Sequence, residues 1–167
     1  MNPSNKNLRC GSWLFSQIRQ AEGFHLKAYL CPAGVWTIGY GHTGTAIKKG
    51  LVIDKAKAEA FLMADATRAA NIVRLHVDQP MNQAQLEVFV DFTFNFGGGA
   101  FQRSTMLRKF NDGDVAGSLS EIPKWCYARV NGVDTKEPGL AARRSAEVKH
   151  WLCKGTYAGS FNFPTTL

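Results

Sequence analysis

Three residues near the start of the chain have types and a spacing that suit bond hydrolysis. Glu22, Cys31 and Thr37 stand nine and six residues apart, and a glycine-rich run, TIGYGHT, begins at Thr37. A glutamate can act as a general acid, and a threonine hydroxyl can both donate and accept hydrogen bonds. Cleavage of a glycosidic bond uses an acid of this kind beside a cleft that holds a positioned water. The segment 22–43 therefore predicts a site for carbohydrate hydrolysis.

The elements around this segment predict where each group lies. Apolar residues at helical spacing in SWLFSQIRQAEG predict a helix that Ser12 caps and Gly23 ends, so Glu22 lies at its C-terminus. The helix dipole disfavours a negative charge there, which favours the neutral form that a general acid needs. β-Prone residues between 24 and 53 predict a hairpin or a three-stranded sheet, with a turn at 32–34.

Helices are predicted for most of the remaining chain, so the predicted fold class is α+β and mostly helical. Asp54 is predicted to cap a helix at about 54–75, and a helix of that length spans about 30 Å. Asn82 and Gln85 form a capping-box pattern for a helix that ends near Phe94. The glycines at 97–99 predict a flexible break, and the tail after Gly155 has no clear period. Shorter helices are predicted at about 103–110, 114–125 and 138–152.

Length and charge limit the classes of protein that fit. The chain has 167 residues and 45% hydrophobic content, which suits one domain with a sizeable core. Its net charge of +7 favours an anionic partner such as nucleic acid, membrane phospholipid or cell-wall polymer. Nucleic-acid binding is not predicted, because the basic residues lack a helix-turn-helix or RNA-reading signature. No apolar run approaches the roughly 20 residues that span a bilayer, and no export signal is recognised, so we expect synthesis in the cytoplasm without stable membrane insertion.

The four cysteines, at positions 10, 31, 126 and 153, are scattered singly. No CxxC pair occurs, so a zinc site or a thioredoxin-type motif is not predicted. Two disulfides are possible by number, but a reducing cytosol argues against them. No metal or organic cofactor is expected, because two positioned side chains and water suffice for glycoside hydrolysis.

The spacing of Glu22, Cys31 and Thr37, with the strand that reads TIGYGH, resembles the phage-type lysozymes, the endolysins related to the lysozyme of T-even phages. The family pattern has a Glu at the end of the first helix, an Asp nine residues on, a Thr six further and a T-I-G-x-G-H strand. This chain keeps that pattern but carries Cys31 where the family usually has Asp. The segments 94–114 and 138–152 resemble the family's middle segment and closing helices.

The resemblance implies a single lysozyme-like domain over 1–167. Its lobes would lie at about 12–60 and 75–155, joined by the helix at about 54–75, with a cleft between them. It implies a muramidase, an endolysin that hydrolyses the β-1,4 bond between N-acetylmuramic acid and N-acetylglucosamine in peptidoglycan. It also implies a monomer that stays in the host cytoplasm until a holin-type protein permeabilises the membrane, and then reaches the periplasm and the cell wall.

The resemblance also implies roles for single residues. Glu22 is expected to be the general acid, and Thr37 to orient the attacking water. Arg143 or Arg144 resembles the family's arginine that pairs with the catalytic Glu from the far lobe. We favour Arg143, because its spacing to Trp151 fits the family better.

Sugar contacts are expected at His42, Thr43, Phe94 and Met106. Only Phe94 among the last three keeps the family's residue type. For His42, a structural role within the sheet lobe competes with a contact to sugar or to Cys31.

Cys31 leaves three interpretations open. It is a working substitute for Asp, a change that weakens catalysis, or a redox control point paired with Cys10 or another thiol. Two other functions remain open for the same reason. One is a peptidoglycan-binding protein on the same fold, and the other is a cysteine hydrolase that uses Cys31 and His42 on peptide cross-links.

Overall fold

The structure, a computed structural model, describes residues 2–31, 34–130 and 132–154. A short 3-10 helix, Pro3–Asn7, precedes the first α-helix. Its fully buried Asn5 donates to the carbonyl of Gln79 and accepts from the amide of Met81. Sequence patterning does not predict this 3-10 helix, because the groups that anchor it lie more than seventy residues away.

The helix predicted before the sheet is confirmed as α1, Ser12–Glu22. Leu14 and Ile18 lie one turn apart and bury the same face of the helix in the core. Gly23, with φ of 73°, ends the helix, a conformation that favours glycine. Glu22 is therefore the last residue of α1, at the point where the chain turns into the sheet.

The predicted three-stranded sheet is also confirmed. Its strands are β1, His25–Leu30, β2, Trp36–Gly39, and β3, His42–Thr43, in that order and antiparallel. Residues 32 and 33 of the predicted turn lie outside the described residues, while Gly34 has φ of 76° and donates to the carbonyl of Cys31. A small apolar core under the sheet comprises Ala28, Ile38 and Ile47.

Two long helices form the centre of the molecule, and both were predicted. The first, α2, Lys55–His76, is capped by Asp54 and buries a face rich in alanine. Small side chains on that face allow it to pack closely on α3, Gln83–Phe96. The capping box of Asn82 and Gln85 is present at the start of α3. Every residue of α3 from 84 to 93 is buried, as expected for a helix that other elements surround.

The remaining elements differ from the prediction in two places. The glycines at 97–99 do not form the predicted flexible break. Only Gly97 separates α3 from the next helix, which begins at Gly98. The second difference is a hairpin that helix-centred patterning missed, although the Asn-Gly pair at 131–132 is a hairpin signal. The elements are α4, Gly98–Arg103; α5, Thr105–Asn111; α6, Val115–Glu121; a 3-10 helix, Ile122–Lys124; β4, Tyr127–Val130; β5, Val133–Lys136; and α7, Pro138–Lys154.

Within the described ranges, no helix is long and apolar enough to cross a bilayer. The tail after Gly155, for which patterning gave no assignment, lies outside the described residues. The division of the chain into two lobes of one domain stays a proposal.

The capping box at the start of α3 generates a stability prediction. Asn82→Ala removes the side-chain acceptor for the amide of Gln85, so the free energy of unfolding should fall by about 1 kcal/mol. Urea denaturation followed by circular dichroism measures this change. Gln102→Ala, at an exposed position of α4, is the matched control and should shift stability by less than about 0.5 kcal/mol. An Asn82→Ala protein as stable as this control would contradict a role for the cap.

Candidate active site

Glu22 projects from the end of α1 and is partly accessible, with 23% of its side chain exposed. Its Oε1 accepts a hydrogen bond of 2.6 Å from Nη1 of Arg143. On the other side lies Gly41, where a Cβ would come within 3.2 Å of Glu22 Oε2. The predicted contact between Glu22 and an arginine of the last helix is therefore present, and that arginine is Arg143.

Arg143 is held from behind by a second carboxylate. Its Nε and Nη2 donate to the two oxygens of Asp91 at 2.9 and 2.8 Å, and Asp91 is completely buried. Burial alone would lower the pKa of Arg143, but hydrogen bonds and charge from Asp91 and Glu22 outweigh it and raise the pKa above its ordinary value. Arg143 is thus a fixed cation with a preset direction.

Sequence reasoning missed Asp91, although a signal was present. It is the one charged residue in the apolar run VFVDFTFNF, at 88–96. A carboxylate buried in such a helix needs a cationic partner, since an unpaired buried charge is very costly. The partner lies 52 positions later, so pattern alone could not identify it.

Cys31 and Thr37 are held together at the open end of the sheet. The carbonyl of Val35 accepts a hydrogen bond from the Cys31 amide and another from the Thr37 hydroxyl, each at 3.0 Å. Thr37 is 4% exposed, and its oxygen keeps acceptor capacity after this donation. Cys31 and Thr37, two of the three residues predicted to be catalytic, therefore share one backbone hydrogen-bond acceptor.

Tyr29 lies beside Thr37 on the neighbouring strand. It pairs directly with Thr37 across β1 and β2. Its pKa lies above the ordinary value, first because of burial and then because of the negative charge of Cys31 and Glu22. Sequence reasoning missed Tyr29, which lies next to the last residue of β1 and two residues before Cys31.

Two cavities are lined by residues of this site, the first by Glu22 and the second by Gly41. The first has a volume of about 490 Å³ and includes Glu22, Arg143 and the amide side chains of Gln20 and Asn95 in its lining. The second has a volume of about 240 Å³, and Gly41 lies in its wall. The carboxyl of Glu22 thus faces space on a scale that suits sugar rings.

Thr43 and Phe94, both predicted sugar contacts, line the second cavity. Phe94 is half-buried, so part of its ring faces this space. Their binding role stays a prediction, but their position beside Gly41 agrees with it.

The prediction for Met106 is wrong. Its side chain is 0% exposed and belongs to the helical core, so it has no surface to offer a sugar. The residue falls at a position resembling a family contact, but an apolar side chain on α5 is drawn into the core instead.

His42 is engaged within the protein. Its Nδ1 lies 2.7 Å from Oδ2 of Asp65 on α2, and its ring stacks on Phe61 with centroids 3.9 Å apart. These contacts tie the sheet to α2. They favour the structural role over the predicted sugar contact, which stays a prediction.

In the part of the chain that the structure describes, no group of three or more ligating side chains could hold a metal ion.

The chain is similar to known proteins over most of its length. A family model described as phage lysozyme matches residues 19–147. An endolysin of Acyrthosiphon pisum secondary endosymbiont phage 1 is 44% identical over 130 residues, which cover 78% of this chain and 88% of that protein. A SAR-endolysin of Enterobacteria phage P21 is 33% identical over 132 residues, which cover 79% of this chain and 76% of that protein.

Solved structures show the same similarity. The muramidase domain of SpmX from Asticaccaulis excentricus has a TM-score of 0.81 and 32% identity, covering 87% of this chain and 99% of that one. The endolysin from Escherichia coli O157:H7 phage FAHEc1 has a TM-score of 0.79 and 30% identity, covering 87% of this chain and 94% of that one.

The contact between Gly41 and Glu22 generates a prediction. Gly41→Ala places a methyl group 3.2 Å from Glu22 Oε2 and strains a residue with φ of 83°, so cell-wall lysis should fall by about tenfold or more. A turbidity assay on permeabilised cells measures this loss. Gly50→Ala is the matched control, because Gly50 has φ of 86° but no atom within 4 Å of the added carbon. Equal losses in the two variants would mean that backbone strain, not the displacement of Glu22, accounts for the effect.

Proposed function

Because the chain belongs to the phage lysozyme family, we propose that Glu22, Thr37 and Cys31 carry the family's chemistry in this protein. The protein is an endolysin with muramidase activity, a lysozyme-type glycoside hydrolase. It hydrolyses the β-1,4 bond between N-acetylmuramic acid and N-acetylglucosamine in peptidoglycan. The single observation that carries the assignment of residues is the carboxyl of Glu22, which lines the first cavity while Arg143 holds it at 2.6 Å.

Glu22 is proposed to be the general acid, which protonates the glycosidic oxygen as the bond to the sugar breaks. This role needs the neutral carboxyl at the start of the reaction. A single cation beside Glu22 would favour its ionised form, but Asp91 offsets the charge of Arg143 through two hydrogen bonds. Arg143 can therefore orient Glu22 and still allow it to carry a proton. Once the proton has left, the same hydrogen bond stabilises the carboxylate.

Thr37 and Cys31 are proposed to act on the opposite side of the reacting sugar. The hydroxyl of Thr37 would orient the attacking water, since a threonine is too weak a base to deprotonate it. Cys31 would act as a thiolate in the place where the family usually has Asp. Its negative charge would stabilise the positive charge that develops on the sugar and would help to activate the water. Tyr29 pairs with Thr37 across β1 and β2, and its hydroxyl is proposed to hydrogen-bond the substrate or the attacking water.

Substrate binding is proposed to use the second cavity and the charge of the whole protein. Phe94 and Thr43 offer an aromatic surface and a hydroxyl beside Gly41, a combination that suits the face and the edge of a sugar ring. The net charge of +7 favours approach to an anionic wall polymer.

The biological setting is proposed from the family. As an endolysin, the protein acts on peptidoglycan, and the relatives named SAR-endolysin point to release into the periplasm. The finer proposal is a monomeric single domain with two lobes. It would accumulate in the host cytoplasm and reach the wall after a holin-type protein has permeabilised the membrane.

The proposed role of Glu22 generates a prediction about the loss of lysis on substitution. Glu22→Gln keeps the shape and hydrogen bond of the side chain but removes its transferable proton, so lysis should fall by about a hundredfold or more. Digestion of purified peptidoglycan should release new reducing ends that are muramic acid in the parent only. Asp112→Asn, at a side chain that is 64% exposed, is the control and should digest like the parent. A folded Glu22→Gln protein that still lyses cells would remove Glu22 from the mechanism, and release of free amines would indicate peptide cleavage instead.

The proposed role of the Cys31 thiol generates a prediction about the pH dependence of lysis. An unperturbed thiol has a pKa near about 8.5, whereas Asp ionises near about 3.9. On the acid side of the pH optimum, lysis by the parent should therefore increase with pH as the thiol ionises, until Glu22 loses its proton, and Cys31→Asp should extend activity to lower pH. Cys31→Ala should lose about tenfold or more at neutral pH, because neither anion is then present. Cys153→Ala, at an exposed thiol of α7, is the control. A Cys31→Ala profile that matches the parent at every pH would show that the thiol takes no part in the chemistry.

A further inference from the structure

Side-chain contacts hold the chain on both sides of Glu22. Arg19 lies three residues before it, about one turn back on α1, and donates to Glu59 of α2 from Nε at 3.0 Å and from Nη2 at 2.6 Å. Phe24 lies two residues after it, and its ring stacks on that of Tyr40 with centroids 5.0 Å apart. The backbone of the proposed acid therefore lies between two points of attachment to other parts of the fold.

The two attachments meet at Glu59. The hydroxyl of Tyr40 donates to Glu59 Oε1 at 3.0 Å, and this is the same oxygen that accepts from Nε of Arg19. The hydrogen bond from Arg19 is the main reason why the pKa of Glu59 lies below its ordinary value. Burial, followed by the hydrogen bond to Glu59, raises the pKa of Tyr40, so the hydroxyl keeps its proton. Glu59 is thus an anion that joins α1 to the turn between β2 and β3.

Tyr40 also belongs to the turn that touches Glu22. Gly41 follows it directly, and an added Cβ there would lie 3.2 Å from Glu22 Oε2. Gly39 precedes it and lies against α2, where an added Cβ would be 3.5 Å from the Cβ of Ala58. The ring of Tyr40 is itself buried in the core. This turn therefore has α2 on one side and the carboxyl group of Glu22 on the other.

Arg143 and Glu59 constrain Glu22 in different ways. Arg143 binds the carboxyl group itself, so it sets the direction of the side chain. That hydrogen bond does not fix how far the backbone of Glu22 lies from the sheet that carries Thr37. Glu59 binds the helix end before the acid and the sheet turn beside it, so it constrains this separation. The reaction proposed above makes no use of Glu59.

We propose that Glu59 is a positioning residue, which binds Arg19 and Tyr40 together and thereby sets the distance between the carboxyl of Glu22 and the sheet. A displacement of about 1 Å near a reacting group can cost about a hundredfold in rate, so the loss of this contact should cost about three- to tenfold. Glu59 does not touch the substrate, so the loss should appear in kcat rather than in KM. The effect on catalysis rests on the proposed role of Glu22 as the acid, whereas the position of Glu22 does not.

The hydroxyl of Tyr40 offers the mildest test. Tyr40→Phe removes one hydrogen bond to Glu59 and keeps the ring that stacks on Phe24. With soluble peptidoglycan chains as substrate, kcat should fall by about three- to tenfold, while KM stays within about twofold of the parent. Tyr127→Phe, at a side chain of β4 that is 54% exposed, is the matched control and should keep both constants. A Tyr40→Phe protein that melts at a lower temperature but keeps the kcat of this control would show a structural role only and overturn the proposal.

A double-variant comparison tests whether Tyr40 acts through Glu59. Glu59→Met keeps the length of the side chain but removes both carboxylate oxygens, so kcat should fall by about three- to tenfold. The hydroxyl of Tyr40 has then lost its acceptor, so adding Tyr40→Phe should lower kcat by less than about 1.5-fold more. Losses that multiply in the double variant would show that Tyr40 acts by another route and would overturn the proposal. Thermal melting establishes that each variant is folded, and if Glu59→Met is not, the comparison of Tyr40→Phe with Tyr127→Phe decides.

The position of Glu22 can also be measured without activity. In protein labelled with ¹⁵N-arginine, the Nη–H signals of Arg143 report its hydrogen bond to Glu22, and Glu22→Ala gives their values when that bond is absent. In Tyr40→Phe these signals should move toward those of Glu22→Ala, whereas Tyr127→Phe should leave them in place. Unmoved signals in a Tyr40→Phe protein that has lost activity would overturn the positioning role. If Glu22→Gln stays active while the signals move as expected, the catalytic assignment fails and the positioning by Glu59 stands.

Discussion

The site depends on one buried ion-pair chain, in which Arg143 bridges Glu22 and Asp91. A guanidinium that is 4% exposed needs anionic partners, because a buried charge without one is very costly. Removal of one partner from a buried pair typically costs about 3–5 kcal/mol, a large part of the roughly 5–15 kcal/mol by which a domain is stable. The contact that orients the proposed acid, Glu22, therefore also holds α1, α3 and α7 together.

The same helix, α3, also fixes the other end of α1. Glu87 lies one turn before Asp91 and is buried like it. Its Oε1 accepts from the amide of Gly11 at 2.9 Å, and its Oε2 lies 2.6 Å from Nε2 of His150 on α7. The ring of His150 stacks on Trp13 with centroids 3.7 Å apart. Two buried carboxylates of α3 thus tie the start of α1 directly and its end through Arg143, which leaves Glu22 little freedom to move.

The sheet contributes to the site in a different way. Its contribution is the close approach of its backbone to the site residues. The carbonyl of Val35 holds both Cys31 and Thr37, and Gly41 brings the chain within contact of Glu22. The contact between His42 and Asp65 then joins the sheet to α2. The proposed acid, Glu22, is thus held by helices, whereas the groups proposed to act on water are held by a sheet.

The sequence by itself determined what is local. The spacing of Glu22, Cys31 and Thr37 and the glycines of TIGYGHT identify the family, because a helix end, a turn and a short strand depend on neighbouring residues. Helical periodicity and caps located α1, α2 and α3 for the same reason. The Asn-Gly signal of the second hairpin is local too.

Only the tertiary structure decided what depends on contacts between distant positions. It brought Arg143 against both Glu22 and Asp91 and buried Met106 in the core. Each of these outcomes follows from which faces of α3, α5 and α7 meet. Charged and apolar groups that lie tens of residues apart in the sequence come into contact only when the chain packs and excludes water. No local sequence pattern therefore predicts which of them will pair.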